Sequence, residues 1–194
     1  MIKEATLVGG MGRLGSTVIY NIVRYILVEK YPELTSGFYY DNKVFYDVMK
    51  AHAFNSDLVL KYKNIILPVR NLKDVIISHD RYLPNKYSTI KDLKEQAEFL
   101  ISLYNKWKPF ASYIFNFDEY KEHPEKTIIQ VSETYGIEID PSLIRSKIED
   151  LSKDPKSLCG ADHITSDKEC PVSQEEISVL VSEINNWPTK KYKL

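Results

Sequence analysis

Apolar residues fall along this chain in two alternating patterns: short continuous runs, and longer stretches in which they recur every three or four positions. The first marks strands covered on both faces, the second amphipathic helices. A run over residues 5–8 predicts a first strand, and residues 17–27 carry helical spacing. Residues 31–37 and the aromatic stretch 38–42 read as loop, 43–52 as a second strand, and 55–63 as a short helix or turn. Residues 64–70 form the third strand, with Ile65, Ile66 and Leu67 apolar on both faces; Pro68 is tolerable near the strand end.

The pattern then turns helical over 72–83. A cap at Ser88 or Thr89 starts a long helix to Trp107, in which Ile90, Leu93, Ala97, Leu100, Ile101 and Tyr104 share a face. Residues 111–117 make a fourth strand, and Pro124 starts a helix that Gly136 ends. Residues 141–152 are helical and 153–172 irregular, and Ser173 with Glu176 is a capping box opening a helix over 175–187. Strands alternating with helices predict an α/β fold with a mostly parallel central sheet, flanked by helices in three layers.

Charge narrows the partners. Twenty-six basic against 27 acidic residues leave a formal net charge of −1, which argues against a nucleic-acid-coating protein but allows a local basic pocket. At 194 residues the chain reads as one domain, 1–194, long enough to bury a core. No apolar run reaches the roughly 18 residues of a membrane span; the best, 18–28, is interrupted by Asn21 and Arg24. The N-terminal Met-Ile-Lys-Glu lacks a signal peptide's apolar stretch, and Cys159 and Cys170 are the only cysteines, so a cytoplasmic location is expected. With His163 they have no zinc-like spacing, and no metal site is expected.

Candidate chemistry begins after the first strand. Three glycines within four residues, Gly9, Gly10 and Gly12, are followed by Arg13, Leu14, Gly15, Ser16 and Thr17 at the start of a helix. Strand, glycine turn and helix aim backbone N–H groups at an anion, usually a phosphate. Gly10, Gly15 and Thr17 fit the P-loop spacing G-x-x-x-x-G-K-S/T, so the fold expected is P-loop-NTPase-like, but Ser16 replaces the lysine. The nearest cation is Arg13, within the loop.

Ligands of such sheets bind beyond the carboxyl ends of the strands. The second strand ends at Lys50-Ala-His52, the third at Arg70-Asn-Leu-Lys-Asp74 and the fourth at Asp118-Glu-Tyr120. Arg70 with Ser78, eight residues on, can hold a phosphate by a bidentate contact plus a hydroxyl, or Arg70 can pair with Asp74 at the surface. Lys50 and His52, two apart on a strand, project to one face, and an unperturbed imidazole suits a general base.

This ordered set resembles the sulfotransferase family. Arg13 to Thr17 is similar to its first motif, a P-loop variant with a basic residue, one residue, glycine and two hydroxyl residues. Arg70-Asn-Leu-Lys-Asp-Val75 with Ser78 resembles its second motif in type and spacing, and Lys50-Ala-His52 matches a K-x-H between them. Phe117-Asp-Glu-Tyr-Lys-Glu-His-Pro124 is similar to a Y-E-D-L-x-x-x-P segment. The likeness covers roughly residues 5–136. Val18 stands where cytosolic members carry a tryptophan; the late R-K-G segment is missing, with Lys156-Ser-Leu-Cys-Gly160 its nearest stand-in.

The resemblance implies a sulfuryl donor, 3'-phosphoadenosine 5'-phosphosulfate (PAPS), its desulfated product PAP, and no required metal. By it, Gly12, Arg13, Leu14, Gly15, Ser16 and Thr17 hold the 5'-phosphosulfate, and Arg70 and Ser78 the 3'-phosphate. His52 takes the proton of a hydroxyl or amine acceptor, a small molecule or glycan, while Lys50 and Arg13 stabilise charge on the leaving phosphate. Residues 38–46 and 81–87 flank the presumed acceptor. A P-loop kinase or NTPase is the alternative, with Asp118 as magnesium ligand; a non-catalytic nucleotide-binding module is another.

Overall fold

In a computed structural model, residues 2–10, 12–39, 44–82, 89–153 and 172–184 are described. Five parallel strands form one sheet in the order β2-β3-β1-β4-β5: β1 Thr6–Gly9, β2 Ser36–Phe38, β3 Val48–Ala51, β4 Asn64–Val69 and β5 Tyr113–Asn116. The helices are α1 Ser16–Lys30, α2 Ser56–Lys61, α3 Leu72–Tyr82, α4 Ile90–Trp107, α5 Phe117–Glu122, α6 Pro124–Glu133, α7 Pro141–Lys153 and α8 Gln174–Glu183. The expected α/β sheet flanked by helices is observed. No helix among the described residues is long and apolar enough to cross a membrane.

Strand alternation sorts the core into two layers. Leu7, Met49, Ala51, Ile65 and Leu67 face α2, α3, α4 and α8, where Leu58, Val75, Leu100 and Ile177 are buried. Val8, Val48 and Ile66 face α1, α6 and α7, where Ile19, Ile22, Val131 and Ile144 are buried. Trp107, at the end of α4, lies against β1: a Cβ on Gly9 would sit 2.7 Å from its Cε3, so only glycine lets the indole approach. Thr89 caps α4 in a capping box with Asp92, the second of the two caps read from sequence.

Three readings change. Residues 36–38, taken as loop, are the edge strand β2; three residues are too few for a period, and the strand depends on Tyr46, whose ring covers Gly37. The second strand shrinks from 43–52 to Val48–Ala51, because Asp47 just before it turns its side chain to other loops. The fourth strand stops at Asn116, whose side chain accepts from Asp118 N at 3.0 Å and Glu119 N at 3.3 Å and so opens α5. The end of the last helix beyond residue 184, the stand-in segment 156–160, both cysteines, His163 and the acceptor segment 83–87 lie outside the described residues.

Asp47 pins the amino-terminal end of the sheet. Its carboxylate accepts from Ile2 N at 2.7 Å, Thr35 N at 3.0 Å and Thr35 Oγ1 at 2.7 Å. Burial pushes this carboxyl up, but the bonds from Thr35 and Ile2 outweigh it and hold the pKa below the ordinary value. A lowered folded-state pKa gives stability that is present above the unfolded value and is lost as pH falls through the folded one. Asp47→Asn is therefore expected to cost about 2 kcal/mol at pH 7. Urea unfolding at pH values from about 5 downward should show the gap between wild type and variant closing; a constant gap would count against this role.

Candidate functional site

The crossing order places the site. From β1 the chain goes to β2 and β3 on one side, then returns to β4 and β5 on the other, so the loops after β1 and β4 diverge over the carboxyl edge. Crevices at such a switch point are where open α/β sheets bind ligands. Glycine loop, His52, Arg70 and Phe117 all follow strand ends on this edge.

The loop between β1 and α1 is wound by left-handed residues. Arg13 has φ 70°, uncommon outside glycine, and Gly15 has φ 88°. Gly15 caps α1 in this conformation, and a Cβ there would lie 2.7 Å from Phe117 Cγ, so both backbone and packing require glycine. Gly15 supplies no side-chain cap, and the N-terminus of a helix is a position that suits an anion. Ser16, where a P-loop lysine would reach a phosphate, is 2% exposed. Leu14 is buried in the core, so only its backbone can serve a ligand. Gly12 lies beside His52: a Cβ there would be 4.0 Å from His52 Cε1 with nothing closer.

Lys50, at 5% exposure, directs its ammonium back to the start of α1, where Nζ donates to Thr17 Oγ1 at 2.5 Å. The Phe38 ring of β2 covers the same ammonium at 5.0 Å from its centroid, a contact the loop reading of that segment could not anticipate. His52, exposed just beyond β3, places Nδ1 3.0 Å from the Gly10 carbonyl oxygen. A carbonyl only accepts, so Nδ1–H donates and the lone pair of the neutral ring resides on Nε2.

Arg13 and Ser78 meet: Arg13 Nε donates to Ser78 Oγ at 2.8 Å across 65 residues of sequence. Arg70 Nη1 donates to the Arg13 carbonyl at 3.3 Å, while Arg70 Nη2 stands 3.6 Å from Asp74 Oδ2. The two sets of candidate residues thus share one network, and the surface pairing of Arg70 with Asp74 coexists with it. Asp118, which a magnesium enzyme would need free, accepts from Asn71 N at 2.6 Å and pairs with Lys121 at 3.7 Å. Phe117, which the sequence offered only as the start of the segment ending at Pro124 and with no site role, also lies at this edge; Asn116 followed by Asp118 and Glu119 is an N-cap signature for the turn holding it.

The polar groups gathered at this edge are Arg13, Lys50 and Arg70, the hydroxyls of Ser16, Thr17 and Ser78, and a helix N-terminus, all of types that can bind an oxyanion. The sequence matches no protein-family model and no curated protein. Among solved structures, retinol dehydratase in complex with androsterone and the inactive cofactor PAP superposes with a TM-score of 0.61 at 11% identity, over 92% of this chain and 78% of that one. The fold is that of the sulfotransferases. Mouse sulfotransferase SULT7A1 complexed with PAP gives a TM-score of 0.58 at 14% identity, covering 92% of this chain and 79% of that one. Retinol dehydratase with retinol and PAP gives 0.58 at 11%, covering 94% and 80%.

Proposed function

We propose that this chain is a PAPS-dependent sulfotransferase acting on a hydroxyl- or amine-bearing small molecule. The observation that carries the reading is the convergence on one rim of the glycine turn after β1, Lys50 bonded to Thr17, His52 with Nδ1 at the Gly10 carbonyl, and the Arg13–Ser78–Arg70 network. These residues fit a ligand with phosphate groups at two ends. The α1 N-terminus with Ser16 and Thr17 would hold the 5' end, and Arg70 with Ser78 the 3'-phosphate. PAPS supplies, when bound, a sulfuryl group with a phosphate as its leaving group.

His52 Nε2 would then take the proton of the acceptor, as a positioned general base does. Lys50, already at hydrogen-bond distance from Thr17, and Arg13 would stabilise negative charge on the departing phosphate oxygen. The remaining work is orientation, which a rigid rim supplies. The bond from Arg13 to Ser78 would let Arg13 serve both phosphate ends.

The kinase reading is weaker, since Asp118 is engaged by Asn71 N and Lys121, and Ser16 is buried where a lysine is needed. Calorimetric titration separates the two. PAP is expected to bind without magnesium, whereas magnesium-dependent ATP binding with no response to PAP would overturn the proposal. Consumption of PAPS in the presence of an acceptor panel distinguishes an enzyme from a non-catalytic binding module.

A further inference from the structure

We infer that Phe117 is a positioning residue that ties the two anion-binding halves of the rim together, holding Arg70 at a set place relative to the Gly15 turn. The inference rests on the donor-site reading above. Phe117 opens α5 directly after β5. Its ring lies so near Gly15 that a Cβ there would stand 2.7 Å from its Cγ. The same ring carries the Arg70 guanidinium, whose Cζ lies 5.1 Å from its centroid, and the Lys121 ammonium at 5.8 Å. Tyr120 stacks on it at 6.1 Å, and the next residue, Asp118, accepts from Asn71 N at 2.6 Å, beside Arg70. The loop after β1 and the junction after β4 are therefore both referenced to one aromatic ring.

Two further contacts of Arg70, with Asp74 and with the Arg13 carbonyl, orient it less. Its approach to Asp74 is 3.6 Å, and that carboxylate is 39% exposed and shared with Lys121 at 3.5 Å. An exposed ion pair of this kind contributes little order. The bond from Nη1 to the Arg13 carbonyl is long, at 3.3 Å. Arg70 itself is only 19% exposed, and a cation over a ring gains strength where water is excluded. The ring face, more than the carboxylate, sets the guanidinium plane.

Packing and cation–π attraction can be separated. Leucine still fills the space against Gly15 but has no ring quadrupole; tyrosine keeps it. In PAP titrations, Phe117→Leu is expected to weaken binding about tenfold, the size of one partly desolvated cation–π contact. Phe117→Tyr should retain wild-type affinity. In an Arg70→Ala background the leucine substitution should cost almost nothing, because its effect runs through Arg70. With PAPS as substrate, the leucine variant should show a raised KM for donor and an unchanged kcat, a split that general loosening of the fold would not give. Should leucine fail to fold, Phe117→Met serves the same cycle. Losses that add across the two positions, or wild-type affinity in Phe117→Leu, overturn the inference. No PAP binding by the wild type, or wild-type affinity in Arg70→Ala, overturns the donor-site reading and this inference with it.

Discussion

His52→Ala is expected to lower sulfuryl transfer by about 10²–10⁴-fold, the usual contribution of a positioned general base, while PAP affinity stays unchanged. The separation follows from geometry. His52 is exposed, with Nδ1 at 3.0 Å from the Gly10 carbonyl oxygen, so its loss removes no core packing. The donors proposed to hold the phosphates lie elsewhere, on Arg13, Thr17, Lys50, Arg70 and the α1 N-terminus. Transfer assays run beside calorimetric PAP titrations test this. Unchanged turnover would remove His52 from the mechanism, and a parallel loss of PAP affinity would make it a binding residue instead.

Gly15→Ala is expected to abolish PAP binding and lower stability by about 2–4 kcal/mol, combining backbone strain with overpacking. At φ 88° alanine is strained whatever the space, and its Cβ would enter the Phe117 ring. The two components can be told apart by adding Phe117→Ala, which opens room but leaves φ unfavourable. Chemical denaturation should then recover part of the stability, while PAP affinity stays impaired. If Gly15→Ala alone unfolded at the wild-type denaturant concentration and bound PAP normally, the close packing of Phe117 on this turn would have no energetic consequence.

Much of the fold was legible because burial imposes periods. The apolar run of β4 and the three-and-four spacing of α4 each reflect which neighbours cover them, and both elements form where the pattern lies. Caps were legible for a related reason: Thr89 and Ser173 satisfy N–H groups within their own turn, so the signal is local. β2 was not legible, since its existence depends on pairing with β3 and on the Tyr46 ring over Gly37. Nor was α5, because Asn116 ends a strand and starts a helix in the same position.

The sequence by itself determined which residue types arrive at the carboxyl ends of the strands: the glycine loop, Lys50 and His52, Arg70 and Ser78. Their spacing is set by strand length and the alternation of elements, which local pattern encodes. Only the tertiary structure decided how they combine. It joined Arg13 to Ser78, 65 residues apart, turned Lys50 to Thr17 under the Phe38 ring, and set the His52 tautomer through the Gly10 carbonyl. It also brought Phe117 against Gly15 and Arg70. Each of these contacts joins segments that are distant along the chain. Their partners are selected by the packing of β2 and β5 at the two edges of an open sheet, and no window of sequence contains both sides.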